Sequence, residues 1–292
     1  FEKDEGKTLA CCATLQNDVT IEADIDEEPD AQIIPVQDFS AVVSKIIDLT
    51  PTIKAVYLRL SKAMHFQAGQ YVQISMPASS GLEESRAFSI ANSPQEVAQT
   101  NEIELNVRIV PNGAMTSFIH QHLKVGDELN VTGPFGRFFV RKSLTSPMLF
   151  LAGGSGLSSP LSMIADLLHE GSQQAITLVV GQRNAAELYY HQQLLDLAAR
   201  HSNFTYVPAL SEASDSQSPW PGAVGFVHEV AKQHFAGNFS GHKAYLCGPP
   251  PMIEAAINTL MQGRCYERDI YTERFLSKAD VQNQKSPLFK RV

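Results

Sequence analysis

Residues 148–160, Met-Leu-Phe-Leu-Ala-Gly-Gly-Ser-Gly-Leu-Ser-Ser-Pro, constrain the fold more than any other stretch of the chain. Five apolar residues in a row, with no polar alternation, read as a strand buried on both faces. Glycines at 153, 154 and 156 end that strand, and a helical pattern over 161–168 follows. A buried strand that turns through glycines into a helix is the opening unit of a parallel sheet. The alternation continues with strands at 175–180, 204–209, 243–247 and 269–273 and helices at 186–200, 225–234 and 251–262. An open parallel sheet with helices on both faces is expected over 147–276.

Upstream the period changes. Short alternating or β-branched runs at 39–47, 53–60, 70–76, 102–110 and 128–133 are separated by Gly, Pro, Asn and Asp. One helical patch, 115–123, interrupts them. Six or so short strands and a helix over 37–142 fit a small antiparallel barrel. Residues 8–24 read as strand, turn and strand, and the acidic 24–30 stretch as a linker without apolar anchors. Residues 277–292 are left as a tail. The chain starts at Phe1 inside what reads as folded sequence, so a preceding N-terminal part is expected.

The formal charge of −8 sits in one place. Residues 1–30 hold ten acids and two lysines, while the remainder balances 21 acids with 21 bases. Such a run is ordinarily a solvated segment, and with no basic cluster to neutralise phosphates, nucleic acid is not the expected partner. No apolar run is long enough to span a bilayer and no signal-peptide layout opens the chain, so no membrane partner is expected. Four cysteines (Cys11, Cys12, Cys247 and Cys265) make no disulfide framework, which fits a reducing cytoplasm.

Four short patterns carry chemistry. The glycines of 153–156 let a phosphate approach the backbone, and the helix start behind them offers free N–H groups. Cys247-Gly248-Pro249-Pro250-Pro251-Met252 closes another parallel strand, and both loops fall at strand carboxyl ends, where open α/β sheets bind ligands. Burial in the core is the plain alternative for Cys247. Arg86-Ala87-Phe88-Ser89 offers a cation, a ring and a hydroxyl within one strand, a set that suits a flavin dinucleotide. Gly113-Ala114-Met115-Thr116 opens the helix at 115–123 and is a second helix start able to meet phosphate, or simply a threonine cap.

Taken in this order, Arg-x-Phe-Ser, Gly-x-x-Thr, Gly-Gly-Ser-Gly and Cys-Gly-Pro-Pro resemble the ferredoxin–NADP reductase superfamily over residues 37–276. Ala-Gly-Gly-Ser-Gly-Leu-Ser-Ser-Pro, Ala-Tyr-Leu-Cys-Gly-Pro-Pro-Pro-Met-Ile, Met-Gln-Gly-Arg, Glu-Arg-Asp-Ile and the closing Leu-Phe-Lys-Arg-Val are similar to reductase components of bacterial phenol hydroxylases and toluene monooxygenases. The resemblance implies an FAD-binding barrel, then an NAD-binding α/β domain, with residues 1–34 the end of a 2Fe-2S ferredoxin-type domain plus linker. It implies Arg86 on the FAD pyrophosphate with amides from Gly113, Ala114, Met115 and Thr116. Phe88 would lie against the isoalloxazine and Ser89 would bond its N5. NADH would lie over Gly154, Ser155, Gly156, Leu157 and Ser158 and beside Gly248 and Pro249, with Cys247 near the reacting nicotinamide carbon. Glu273 matches the family's C-terminal acid and Phe275 the ring over the flavin's other face; core aromatic is the equal alternative for Phe275. Ser89, Cys247 and Glu273 are the expected catalytic set.

Cys11 stands where such a ferredoxin has its fourth cluster ligand. The other three, in a Cys-x4-Cys-x2-Cys loop, are absent from these 292 residues, so a cluster is expected in the full-length protein only. Two departures are local: Ser159 fills the superfamily's usual proline position, and Phe88 replaces the commoner tyrosine. The expected partner is an oxygenase that receives electrons for an aromatic hydroxylation. The alternatives are service to a ring-hydroxylating dioxygenase and, as a different class, a binding module without catalysis. FAD is expected over FMN from Arg86 with the Gly113 helix start. NADH is expected over NADPH because Glu212 and Asp215 would repel a 2′-phosphate. The scattered histidines, among them His65, His120 and His122, lack ligand spacing.

Overall fold

A computed structural model describes residues 28–76, 85–213 and 220–275, together with Asn17 and Thr20. The first sheet holds β1 (Gln37–Asp48), β2 (Ile53–Leu60), β3 (Tyr71–Ser75), β4 (Arg86–Ser89), β5 (Glu102–Arg108) and β6 (Glu128–Phe135). Its order is β4-β3-β6-β1-β2-β5, antiparallel throughout. An isolated bridge between Ile90 and Leu105 joins the two ends, so the sheet nearly closes into a barrel. Alternation packs its interior: Val43, Leu58, Ile74, Ile103 and Val131 are all essentially inaccessible.

Two helices accompany the barrel, where one was expected. α1 (Pro94–Thr100) was missed in the sequence, although Ser93 caps it through the Glu96 amide and proline opens it. α2 (Ala114–Gln121) agrees with the expected patch and sits against the barrel through Met115 and Ile119. His120 hangs on the Val107 carbonyl at 2.9 Å, a structural contact.

The second sheet is parallel, in the order β10-β9-β8-β7-β11-β12. Its strands are β7 (Met148–Gly153), β8 (Ile176–Gln182), β9 (Phe204–Leu210), β10 (Ala223–Val224), β11 (Lys243–Gly248) and β12 (Ile270–Arg274). The chain leaves β7 in one direction for β8 and β9, then returns to its other side for β11, which places a topological switch point between β7 and β11. α3 (Ser158–His169) and α4 (His191–Arg200) cover one face, while α5 (Val227–His234) and α6 (Pro250–Gln262) cover the other. Every residue of β7 is buried, as an uninterrupted apolar strand requires.

Three boundaries correct the sequence reading. α3 begins at Ser158 rather than 161, because Pro160 fits the first turn, where its missing N–H costs nothing. The helix expected over 186–200 is broken: a 3₁₀ turn at Ala185–Glu187 precedes Tyr190, whose φ of 55° starts α4. The helix placed from 225 starts at Val227, since Gly225 takes φ 133°.

The two units share a boundary. Ile53, Ala68 and Phe138 pack into the core that holds Phe150 and Tyr245. Glu187 accepts the Thr50 and Thr52 hydroxyls at 3.2 and 2.7 Å, and Asn92 O accepts Ser162 at 2.8 Å. Part of the acidic linker is tied here too, by polar rather than apolar anchors. Glu28 pairs with Arg141 at 2.8 Å and Arg137 at 3.1 Å, and Asp30 accepts from the Ser143 amide and hydroxyl. Arg141 is itself held between the rings of Phe139 and Tyr271. The strand-turn-strand expected over 8–24 and Cys11 lie outside the described residues.

Candidate active site

The loops after β7 and β11 lie side by side at the switch point. After Gly153 the chain makes a 3₁₀ turn, Gly154–Leu157, before α3. The glycines here are constrained to different degrees, Gly156 by backbone and Gly153 and Gly154 by the ends of side chains. A Cβ on Gly156 would stand 2.3 Å from the Cys247 carbonyl oxygen, and one on Gly153 2.4 Å from Met252 Sδ. Gly154, at φ 59°, lies so close to Arg108 that a Cβ would be 2.5 Å from Nη1. Leu157 is fully buried, so its side chain belongs to the core and only its backbone faces a ligand. Beside these loops opens a cavity of about 500 Å³, lined by Arg108, Gly154, Arg183, Phe226, His228 and Pro249 among others.

Three of the singled-out residues meet at the next position inward. The Glu273 Oε2 accepts from Ser89 Oγ at 3.0 Å, Ser159 Oγ at 2.5 Å and Cys247 Sγ at 3.4 Å. Parallel register sets Cys247 directly opposite Glu273 on the adjacent strand, and β4 delivers Ser89 from the barrel. Burial raises the Glu273 carboxyl above its ordinary 4.5, although all three hydrogen bonds pull the other way. Burial, reinforced by the Glu273 charge, pushes the Cys247 thiol well above its ordinary value, so Cys247 is a neutral thiol that donates. The Ser159 departure therefore has a consequence: a proline there could not reach Glu273.

On the barrel side, Arg86 and Phe88 are half-buried along β4, and Phe88 packs against the barrel core. α2 starts at Gly113 with no side-chain cap. Thr116 closes the preceding loop instead, accepting from the Val110 amide at 3.1 Å and donating to the Gly113 carbonyl at 3.3 Å. Met115 is buried in the barrel, so like Leu157 it can offer only its amide. Phe275 is half-buried against the β7 core, and its amide bonds the Gly248 carbonyl at 3.1 Å.

Comparison with known proteins is decisive at this point. Residues 40–140 match the oxidoreductase FAD-binding domain and residues 150–258 the oxidoreductase NAD-binding domain. The phenol 2-monooxygenase reductase component of Pseudomonas sp. (strain CF600) is 55% identical over all of this chain and 81% of its own length. The phenol hydroxylase P5 protein of Acinetobacter pittii (strain PHEA-2) is 50% identical with the same coverage. The chain belongs to the phenol hydroxylase reductase components. Among solved structures, a cytochrome P450 reductase of Amycolatopsis superposes with a TM-score of 0.75 at 31% identity, covering 82% of this chain and 70% of that one. A ferredoxin reductase of carbazole 1,9a-dioxygenase gives 0.74 at 27% identity, over 84% and 71%. This reductase is thus an oxidoreductase with FAD- and NAD-binding domains, and among its described residues no helix is long and apolar enough to cross a membrane.

The residues fit both cofactors. An uncapped helix start leaves the first-turn amides of α2 open toward an anion, although the Gly113 amide itself is taken by the Val110 carbonyl at 2.9 Å. A glycine-floored cavity carrying Arg108 and Arg183 suits a second dinucleotide. Arg108, Glu104 and Asn106 escaped the sequence reading, and Ser159 was read only as a departure from the superfamily's proline, without its bond to Glu273. Glu104, Asn106 and Arg108 were legible only as polar positions alternating with Ile103, Leu105 and Val107 on β5. Of the residues read for nicotinamide choice, Glu212 is exposed and donates its amide to Arg183 O at 2.7 Å; Asp215 lies outside the described residues.

Proposed function

We propose that this reductase takes electrons from NADH into FAD and delivers them to the oxygenase component of a phenol-type hydroxylase in the cytoplasm. In the full-length protein they would pass through a 2Fe-2S cluster for which Cys11 supplies one ligand. The observation that carries the redox reading is the meeting of Ser89, Ser159 and Cys247 on Glu273, where barrel and nucleotide domain join. FAD, when bound, accepts two electrons together and releases them singly.

The chain's own residues do the rest. Arg86 and the amides of Ala114, Met115 and Thr116 bind the flavin pyrophosphate, while the Gly113 amide is held by the Val110 carbonyl at 2.9 Å. Phe88 and Phe275 flank the flavin ring. Ser89 Oγ, held by Glu273, presents its oxygen to the flavin edge. The Gly154–Ser158 loop, with Gly248 and Pro249, binds NADH, and Cys247 borders the nicotinamide without becoming a nucleophile, because its thiol stays protonated. Glu273 can hold a proton on its carboxyl at a higher pH than an ordinary carboxyl. The acceptor follows from the two relatives whose names include phenol hydroxylation. Service to a dioxygenase is the second reading, favoured by an anthranilate 1,2-dioxygenase electron transfer component of Acinetobacter baylyi, 34% identical over 74% of this chain.

Two measurements test this. Flavin released by heat and separated by chromatography should be FAD; FMN would refute the Arg86 and Gly113 assignments. Ferricyanide reduction should be faster per unit nucleotide with NADH than with NADPH, and equal efficiency would remove the role given to Glu212 and Asp215.

A further inference from the structure

The outward face of β5 holds a carboxylate that the chemistry above leaves unused. On a barrel strand that face ordinarily meets water, but the nucleotide domain covers it, leaving Glu104 8% and Asn106 6% exposed. Glu104 Oε1 accepts from Asn106 Nδ2 at 2.7 Å and from the Tyr190 hydroxyl, and the Tyr57 hydroxyl is bonded into the same group. A buried carboxylate with several donors is costly to leave half-satisfied, so the group acts as a unit.

Two chains of contact run from it to the glycine loop. Asn106 Oδ1 lies 3.4 Å from Ser158 Oγ, a contact secondary to the bond that the same hydroxyl donates to the Ser155 carbonyl at 2.9 Å. Tyr190 stands next to Tyr189, whose hydroxyl donates to the Gly154 carbonyl at 3.0 Å. Tyr190 also holds φ 55°, a left-handed conformation that a bulky residue keeps only when its surroundings enforce it. This strain breaks the helix expected over 186–200 and turns the two adjacent rings to different targets, one to the barrel and one to the loop.

We propose that Glu104 is a positioning residue for NADH: from the barrel, it seats the Gly154–Ser158 loop through Tyr190 and Tyr189 on one side and Asn106 on the other. The inference deepens the proposed function and rests on that loop holding NADH. A purely structural Glu104 would stabilise the domain boundary without tuning nucleotide affinity.

The test uses the FAD-loaded protein with NADH and ferricyanide, reading KM, kcat, flavin content and unfolding midpoint together. E104L removes the acceptor shared by Asn106, Tyr190 and Tyr57 and should raise KM for NADH about tenfold, with kcat within about twofold of wild type. E104Q keeps an acceptor oxygen and should restore most of the loss. Y190F should raise KM about threefold, and the double variant E104L/Y190F should be no worse than E104L, because both changes break one bond. Unchanged KM in E104L and Y190F, a lowered midpoint without a KM change, or additive effects would each overturn the proposal. If E104L does not fold, Y190F and Y189F decide it: both should raise KM, and wild-type KM in both refutes it. A wild-type protein that does not oxidise NADH would instead bring down the reading of the loop, and this inference with it.

Discussion

Two helices in this molecule follow glycine-bearing loops, and they are built differently. α2 starts at Gly113, half-exposed, in a loop closed by its own Thr116. α3 follows Gly154–Leu157, which is packed under the Cys247 carbonyl, bonded by Tyr189 and reached by Arg108 from the other domain. The first is a local device whose parts lie within seven residues. The second exists only because strands distant in sequence converge on it. Similar glycine patterns thus give one site that is self-contained and one that depends on both domains.

The largest break in this comparison comes at Gly156. Alanine there would set its Cβ 2.3 Å from the Cys247 oxygen and 2.6 Å from its carbon, both backbone atoms that cannot rotate away. The β7 and β11 loops must part, and misplacement of about 1 Å is enough to cost on the order of a hundredfold in rate. G156A should lose NADH-driven flavin reduction by at least that factor in stopped-flow measurements. It should keep its FAD, because the barrel is untouched; loss of flavin as well would show that the two sites are not separable.

G113A should do less, in the opposite direction. Its Cβ would meet Thr116 Oγ1 at 2.7 Å, a side-chain atom that can turn, and the Val110 oxygen at 3.1 Å. The expected result is FAD affinity weakened about tenfold, read by fluorescence titration of the deflavinated protein, with KM for NADH unchanged. Equal loss at both sites would erase the distinction between local and assembled helix starts.

That distinction also explains what the sequence disclosed. Period and glycine placement were enough for barrel, parallel sheet and the two glycine loops that precede α2 and α3, because these are short-range physics, though not for the first residue of α3. The broken helix at Tyr190 was illegible: residues 186–200 carry a helical pattern, and the residue that breaks it bonds Glu104, on a strand more than eighty residues away. Likewise Glu104, Asn106 and Arg108 look like the solvent side of an alternating strand until another domain covers them. Glu28 and Asp30 looked like unanchored linker charge, because their partners Arg137, Arg141 and Ser143 lie more than a hundred residues away. Ser159 was visible as a departure, but its bond to Glu273 required the fold.

Glu273 is the part of the assembled site that α2 has no counterpart for, tying Ser159 in the first turn of α3 to Ser89 on the barrel strand β4. Its contribution can be charge or geometry, and titration separates them. Burial raises its carboxyl above 4.5 in the folded protein, against three hydrogen bonds, so the native state holds that proton more tightly than the unfolded chain. Stability from this group is therefore complete below 4.5 and is lost as pH rises through the elevated value. E273Q retains an acceptor for Ser89 and Ser159 but cannot titrate. Its unfolding midpoint should stay flatter than wild type as pH climbs from 4.5, with a difference smaller than one proton's worth of slope. Parallel midpoint curves for the two proteins would mean that Glu273 ionises as freely folded as unfolded, and that the site depends on the shape of the contact rather than on a held proton.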